Sequence, residues 1–161
     1  MECERKCVNN GITIRAYRPE DKGALVHLIR LNTPGYFAPE EEADFCRYLD
    51  YERELYYVLL WGAELVGCGG INFAEDETVG KISWDMIHPE YQGRSLGGQL
   101  LKYRIERIKS IPRIRKITVR TSQLAYRFYE KQGFVLNEVR KDYWAEGYDL
   151  YSMVYDDERG R

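Results

Sequence analysis

The residues best suited to chemistry lie between Ile87 and Leu101, in the run IHPEYQGRSLGGQLL. It places a glycine-bearing turn between an extended apolar segment and an amphipathic one. In that setting the N–H groups of Gly93, Arg94, Ser95, Leu96 and Gly97 can converge on an anion, and a following helix adds its dipole. Glycine at 97 and 98 lets a ligand approach the backbone closely, and Arg94 can add a charge-assisted contact. Taken alone, a glycine-rich turn is more often a plain strand-to-helix connection. The GxxxxGK[ST] order of nucleotide triphosphatases is absent, and the turn falls too late in the chain for a first dinucleotide-binding turn.

A second constellation follows in TSQLAYRFYEKQGF, from Thr121 to Phe134. Ala125 and Tyr129 stand one helical turn apart, so the small residue clears a path along which the phenol can reach a ligand. A tyrosine with an ordinary pKa of about 10 is a weak acid, and it serves catalysis only when held within hydrogen-bond reach of the atom it protonates. By itself such a tyrosine is more often part of a core.

These residues need a frame, and the pattern supplies one. A strand is expected at Ile12 to Tyr17, where Ile12 and Ile14 alternate with Thr13 and Arg15. Pro19, Glu20 and Asp21 open a helix with the stripe Leu25, Leu28 and Ile29, which the Asn32-Thr33-Pro34-Gly35 cluster stops. A second helix is expected from Pro39 behind Glu40, Glu41 and Glu42, through Phe45 and Leu49. Leu55 to Trp61 and Leu65 to Phe73 read as a hairpin, and Val79 to His88 as a further strand. A helix from about Leu96 to Lys109 carries Leu101, Ile105 and Ile108 at helical spacing. A strand at Lys116 to Thr121, a short helix from about Leu124 to Gln132, and strands around Phe134 to Trp144 and Tyr148 to Tyr155 complete the order. The reading is one α+β domain over residues 11–156, with a loose arm over 1–10 and a polar tail over 157–161.

The totals narrow the function. At 161 residues the chain has the size of one domain, and 44% hydrophobic content supports a full core. A net charge of -2 gives no broad positive field for nucleic acid. No run approaches a membrane span, and the opening MECERKCVNN lacks a signal core, so a cytoplasmic location with no membrane partner is expected. Four cysteines, Cys3, Cys7, Cys46 and Cys68, are too sparse for a disulfide framework or a paired zinc motif; Cys3 and Cys7 could hold a metal, but none is expected.

The two segments together resemble the GCN5-related N-acetyltransferase (GNAT) superfamily. Its cofactor loop, Gln/Arg-x-x-Gly-x-Gly/Ala, is similar to Gln92-Gly93-Arg94-Ser95-Leu96-Gly97, with Ser95 where glycine is usual. Its second segment, Asn-x-x-Ala-x-x-x-Tyr-x-x-x-Gly-Phe, matches at Ala125, Tyr129, Gly133 and Phe134, with Ser122 at the asparagine position and Gln123 as a substitute if the turn slips by one. The resemblance runs from about Ile12 to Tyr155. It implies a mixed, mostly antiparallel sheet splayed between the fourth and fifth strands, those ending near His88 and Thr121, with about four helices around it. It implies acetyl-CoA as acyl donor, with pantetheine pairing to backbone groups of Asp85, Met86 and Ile87, and Gly98 beside the diphosphate. Tyr129 would act as general acid to the CoA thiolate, and the N–H of Ile87 would meet the oxyanion.

Family members commonly carry a base near the positions of Lys81 and Ser83, neither of which is one. By strand alternation Asp85 shares their face and is the nominated base, with a simple hydrogen-bonded aspartate as the alternative. The late segment RKDYWAEGYDLYSMVY resembles the hairpin over the acceptor site, where Tyr143 and Trp144 could wall a pocket for a small-molecule or peptide amine. The rival reading is a non-catalytic acyl-CoA-binding or sensing module of the same fold. A monomer and a homodimer are both compatible with the sequence.

Overall fold

Alternating apolar residues bury one face of each strand, and β-branched and aromatic side chains suit that pleated surface. The computed structural model describes residues 6–8 and 11–157. Its strands are β1 (Lys6–Val8), β2 (Ile12–Ala16), β3 (Leu55–Trp61), β4 (Glu64–Ala74), β5 (Val79–Ile87), β6 (Lys116–Thr121), β7 (Phe134–Ala145) and β8 (Tyr148–Tyr155). Its α-helices are α1 (Lys22–Leu31), α2 (Glu41–Arg47), α3 (Leu96–Lys109) and α4 (Tyr126–Lys131). The strands form one sheet in the order β1-β2-β3-β4-β5-β6-β8-β7. Every neighbouring pair is antiparallel except β5 and β6. This is the mixed α+β fold expected.

Helix α3 covers one face of the sheet, its buried Leu101, Ile105 and Ile108 packing with Ile14, Leu59, Ile71 and Ile82. Helices α1 and α2 cover the other, where Leu25, Leu28, Ile29 and Phe45 meet Tyr56, Val58 and Met86. The parallel pairing of β5 with β6 runs only from Val79↔Lys116 to Ile82↔Val119. Beyond it β5 continues to Ile87 with no β6 partner, and the sheet opens there.

The opening coincides with a bulge. Trp84 has φ +48°, and the β4–β5 register shifts between Cys68 and Gly70. A bulge adds a residue to one strand, bends it, and reverses the facing of everything after it. Hence Ser83 and Trp84 both face α2, while Asp85 turns to α3. The expectation that Asp85 shares a face with Lys81 and Ser83 fails for this reason.

Three smaller differences concern element ends. Lys6–Val8 pairs with β2 within the segment expected to be a loose arm. Helix α2 begins at Glu41, two residues after Pro39, and passes into a wider turn at Tyr48–Glu52. The expected metal-free Cys3 and Cys7 fall outside the residues whose side chains are described.

Candidate active site

Where β5 and β6 part, a cleft of about 950 Å³ enters the sheet. Its floor is Asp85, Met86 and Ile87; one wall is the start of α3, and the other is Ser122, Ala125, Phe128 and Tyr129. The sequence therefore brought both constellations to one cavity, from opposite sides.

The α3 wall presents bare backbone donors. Ser95 is the N-cap, but its side chain makes no capping hydrogen bond, and the first turn holds no acidic residue. The intrahelical ladder starts with Gln99 N–H donating to the Ser95 carbonyl at 3.1 Å. The N–H groups of Leu96, Gly97 and Gly98 thus have no intrahelical acceptor, and the dipole concentrates positive potential on them. Ser95 adopts φ +63°, the left-handed conformation that glycine takes freely and serine takes at a cost. A methyl group at Gly97 would meet Phe128 at 3.4 Å and Ile87 at 3.6 Å, which is ordinary contact. Packing within the chain therefore does not demand glycine at 97.

Around the loop, His88 Nδ1 accepts from the N–H of Glu90 at 3.1 Å and caps the short turn Pro89–Tyr91. Gln92 reaches back, its Nε2 donating to the Ile87 carbonyl at 3.2 Å, which also accepts from Asn32 Nδ2 at 3.2 Å. Asn32 read only as a helix stop in the sequence; it is buried and ties α1 to the end of β5. Arg94 does not line the cleft: its guanidinium lies over the rings of Trp61 and Tyr91, 5.2 Å from each centroid.

At the floor three side chains from three elements meet. Asp85 on β5 forms an ion pair with Arg104 of α3, which is 1% exposed, and its other oxygen accepts from the Tyr129 hydroxyl of α4 at 2.5 Å. Arg104 also donates to the Gly70 carbonyl at 3.1 Å and the Leu100 carbonyl at 3.3 Å. Gly69 makes the space: a Cβ there would lie 2.5 Å from Asp85 Oδ1 and 2.7 Å from Arg104 Cζ. Burial raises the Tyr129 phenol well above its ordinary range, and the Asp85 charge and hydrogen bond push the same way against the lesser pull of Arg104. Burial acts to lower Arg104, but Asp85 more than offsets it. With both oxygens of Asp85 engaged, direct service as a base would require breaking one of these contacts.

In the second segment, the Ser122 hydroxyl accepts from the N–H of Leu124 at 3.2 Å, and its carbonyl accepts from Ala125 and Tyr126 at 3.1 and 3.0 Å. Serine thus shapes the turn that leads into α4. Gln123 is absent from the cleft. Its Nε2 donates to the Gly147 carbonyl at 2.6 Å and its Oε1 accepts from the N–H of Asp149 at 2.9 Å, so it fastens the β7–β8 hairpin.

The hairpin splits the two aromatic candidates. Trp144 lines the cleft and donates from Nε1 to the Thr121 carbonyl at 3.0 Å. Tyr143 is 43% exposed, away from the cleft, paired with Arg120. Tyr148, unassigned in the sequence, also lines the cleft and bridges to the Pro34 carbonyl at 2.9 Å. On the α2 side stand Phe37 stacked on Trp84 at 6.0 Å, with Glu41, Glu52 and Glu54 nearby on the lining. Burial raises the Glu41 carboxyl although it accepts from the N–H of Ala38 at 2.7 Å. In the sequence Glu41 reads only as part of the acidic start of a helix, and Glu52 and Glu54 carry no motif.

Among the described residues no group of three or more His, Cys, Asp or Glu side chains could hold a metal ion, and no helix is long and apolar enough to cross a membrane. The Acetyltransferase (GNAT) family model matches residues 24–134. An amino-acid acetyltransferase from Pasteurella multocida (strain Pm70) is 29% identical over 128 residues, covering 79% of this chain, which spans 28% of that protein's length. The ribosomal-protein-S18-alanine N-acetyltransferase of Escherichia coli superposes with a TM-score of 0.74 at 20% identity, covering 89% of this chain and 92% of that one. The spermidine N-acetyltransferase of Vibrio cholerae, solved with CoA and spermine, gives 0.71 at 18% identity over 94% and 99%. By its matched family model and its splayed sheet, the chain belongs to the GNAT family of acetyltransferases.

Proposed function

We propose that this chain transfers an acetyl group from acetyl-CoA to a primary amine, a small molecule or a peptide, by direct attack. The observation that carries this reading is the uncapped start of α3, with a glycine at 97 that packing does not require, opening onto the cleft that ends at Tyr129. The N–H groups from Gly93 to Gly98 take the diphosphate, with Gln92 fixing the loop behind them. Backbone groups of Asp85, Met86 and Ile87, left without a β6 partner, take the amides of pantetheine. Ser122 and Ala125 give the other wall its low profile.

Acetyl-CoA supplies the activated acyl group as a thioester. The acceptor enters from the wing of Phe37, Trp84, Trp144 and Tyr148, where Glu41, Glu52 and Glu54 favour a cation. The relatives named above carry amino-acid, alanine and spermidine acceptors in their names, which is consistent with an amine here. The N–H of Ile87 meets the oxyanion. Tyr129 turns its phenolic hydrogen from Asp85 to the departing sulfur and gives up the proton there. A cationic acceptor first gives one proton to solvent, because only the neutral amine attacks; the nitrogen loses a second as it becomes an amide, and the phenolate recovers that one, so the count closes with one proton released and none passed to Asp85.

A thiol-release assay with acetyl-CoA and a panel of amines and peptides tests this. Amine-dependent release is expected, with Tyr129→Phe lowering kcat by about 100-fold or more. Cofactor binding without turnover across the panel would replace the reading with a sensing module, and no binding would end both.

A further inference from the structure

Arg104 sits within the apolar stripe of α3, between Leu101 and Ile105, and is buried as fully as they are. Among the described residues the acid it pairs with is Asp85. A buried ion pair is a poor way to gain stability, because desolvation of both charges offsets their attraction and apolar side chains of similar volume do as well. A leucine at 104 would complete the stripe at no such cost. The pair also requires the bulge at Trp84, which turns Asp85 inward, and an empty Cβ position at Gly69. Three separate features thus converge on one carboxylate whose free oxygen receives the Tyr129 hydroxyl.

We propose that Arg104 and Asp85 are a positioning pair for Tyr129: the guanidinium pins the carboxylate, and the carboxylate fixes the direction of the phenol and keeps its proton in place. The proposal rests on the reading of Tyr129 as proton donor to the leaving sulfur. Neither Arg104 nor Asp85 gives up or takes a proton in it.

The charged groups facing Tyr129 are Asp85 from β5 and Arg104 from α3; the rings of Phe128 and Phe134 flank it. Tyr48, Tyr56 of β3 and Cys68 of β4 couple to the pair from across the sheet, and burial holds all three protonated. The Asp85 charge opposes ionisation of the phenol and Arg104 favours it. The signs then fix the behaviour of variants. Asp85→Asn leaves Arg104 uncompensated beside Tyr129, so the phenol ionises at lower pH. Asp85→Asn with Arg104→Gln removes both charges, and ionisation moves back toward the wild-type position. Arg104→Lys keeps the charge and loses the fork, so the phenol stays protonated but poorly aimed.

The experiment is an alkaline titration of tyrosinate ultraviolet absorbance, read as the difference between each protein and its Tyr129→Phe counterpart, beside pH profiles of kcat. The expected result is a Tyr129 transition in Asp85→Asn about one pH unit or more below wild type, with the double variant above the single one. A matching alkaline fall in kcat should appear in Asp85→Asn alone. Arg104→Lys should lower kcat about tenfold or more with the KM for acetyl-CoA unchanged. Identical Tyr129 titrations in wild type, single and double variants would overturn the pair. If Asp85→Asn does not fold, Arg104→Lys decides: unchanged kcat overturns the proposal. Full activity of Tyr129→Phe alongside the expected titrations would instead overturn the acid role on which the proposal rests, leaving only an electrostatic link between the pair and the phenol.

Discussion

Replacing Gly97 by alanine should move stability and ligand affinity in opposite directions. The new methyl group would touch Phe128 at 3.4 Å and Ile87 at 3.6 Å, contacts that need no rearrangement. Alanine is preferred to glycine in a helix by about 0.8–1.0 kcal/mol, less near an end, so the free protein should gain about 0.5–1 kcal/mol. For a chain of this size that raises Tm by about 1–4 °C. The same methyl would stand between the bare N–H groups of α3 and the diphosphate. Loss of one charge-assisted hydrogen bond costs about 1.5–3 kcal/mol, or roughly ten- to a hundredfold in Kd. Thermal unfolding without ligand and titration calorimetry with CoA measure the two effects on one preparation. A variant that is more stable yet binds CoA as well as wild type would refute the idea that the space above Gly97 belongs to the ligand, and a less stable one would refute the packing argument.

Ser95→Gly should relieve the left-handed backbone at φ +63° and stabilise the protein by about 1 kcal/mol, with CoA affinity equal or better, read by the same two methods. Gly69→Ala should destabilise by about 1–3 kcal/mol in thermal unfolding, because its Cβ would sit 2.5 Å from Asp85 Oδ1 and something must shift. Asp21 should show pH-linked stability. Burial raises its carboxyl, but the Arg15 fork at 2.8 and 2.9 Å and the Arg18 N–H at 2.8 Å outweigh that and hold it below the ordinary range. Its contribution is present above the unfolded pKa and fades as pH falls through the lower folded one. Asp21→Asn should therefore cost about 1 kcal/mol near neutral pH and progressively less as pH falls below the ordinary aspartate pKa of about 3.9, by denaturant unfolding across pH.

The residues best read from sequence were those whose role depends on local geometry. The loop from Gln92 to Gly98 and the Ala125–Tyr129 spacing set their own backbone, and apart from Arg94 these loop residues line the cleft with Ala125 and Tyr129. Asp85 was picked out as an acid on an apolar strand, yet its facing was misread. The bulge at Trp84 uses a positive φ on a tryptophan, and no glycine marks it in the sequence. Arg104 carried a signal that went unused: a charge at the position between Leu101 and Ile105 requires a buried counter-charge, and Asp85 was the matching anomaly. Gln123 was placed by its distance along the chain, whereas its amide is claimed by the hairpin that folds back over 24 and 26 residues. Charge and its place in the loop point Arg94 to the anion, while the rings of Trp61 and Tyr91, brought near only by the fold, hold its guanidinium. The aromatic wing of the cleft, Phe37, Trp84 and Tyr148, comes from three distant segments, which no short window joins.

The most direct measurement is an experimental structure of the chain with CoA bound. The diphosphate oxygens should lie about 2.7–3.1 Å from backbone nitrogens between Gly93 and Gly98, with the thiol end directed at the Tyr129 hydroxyl. A diphosphate seated away from the start of α3, or a thiol pointing out of the cleft, would contradict the account.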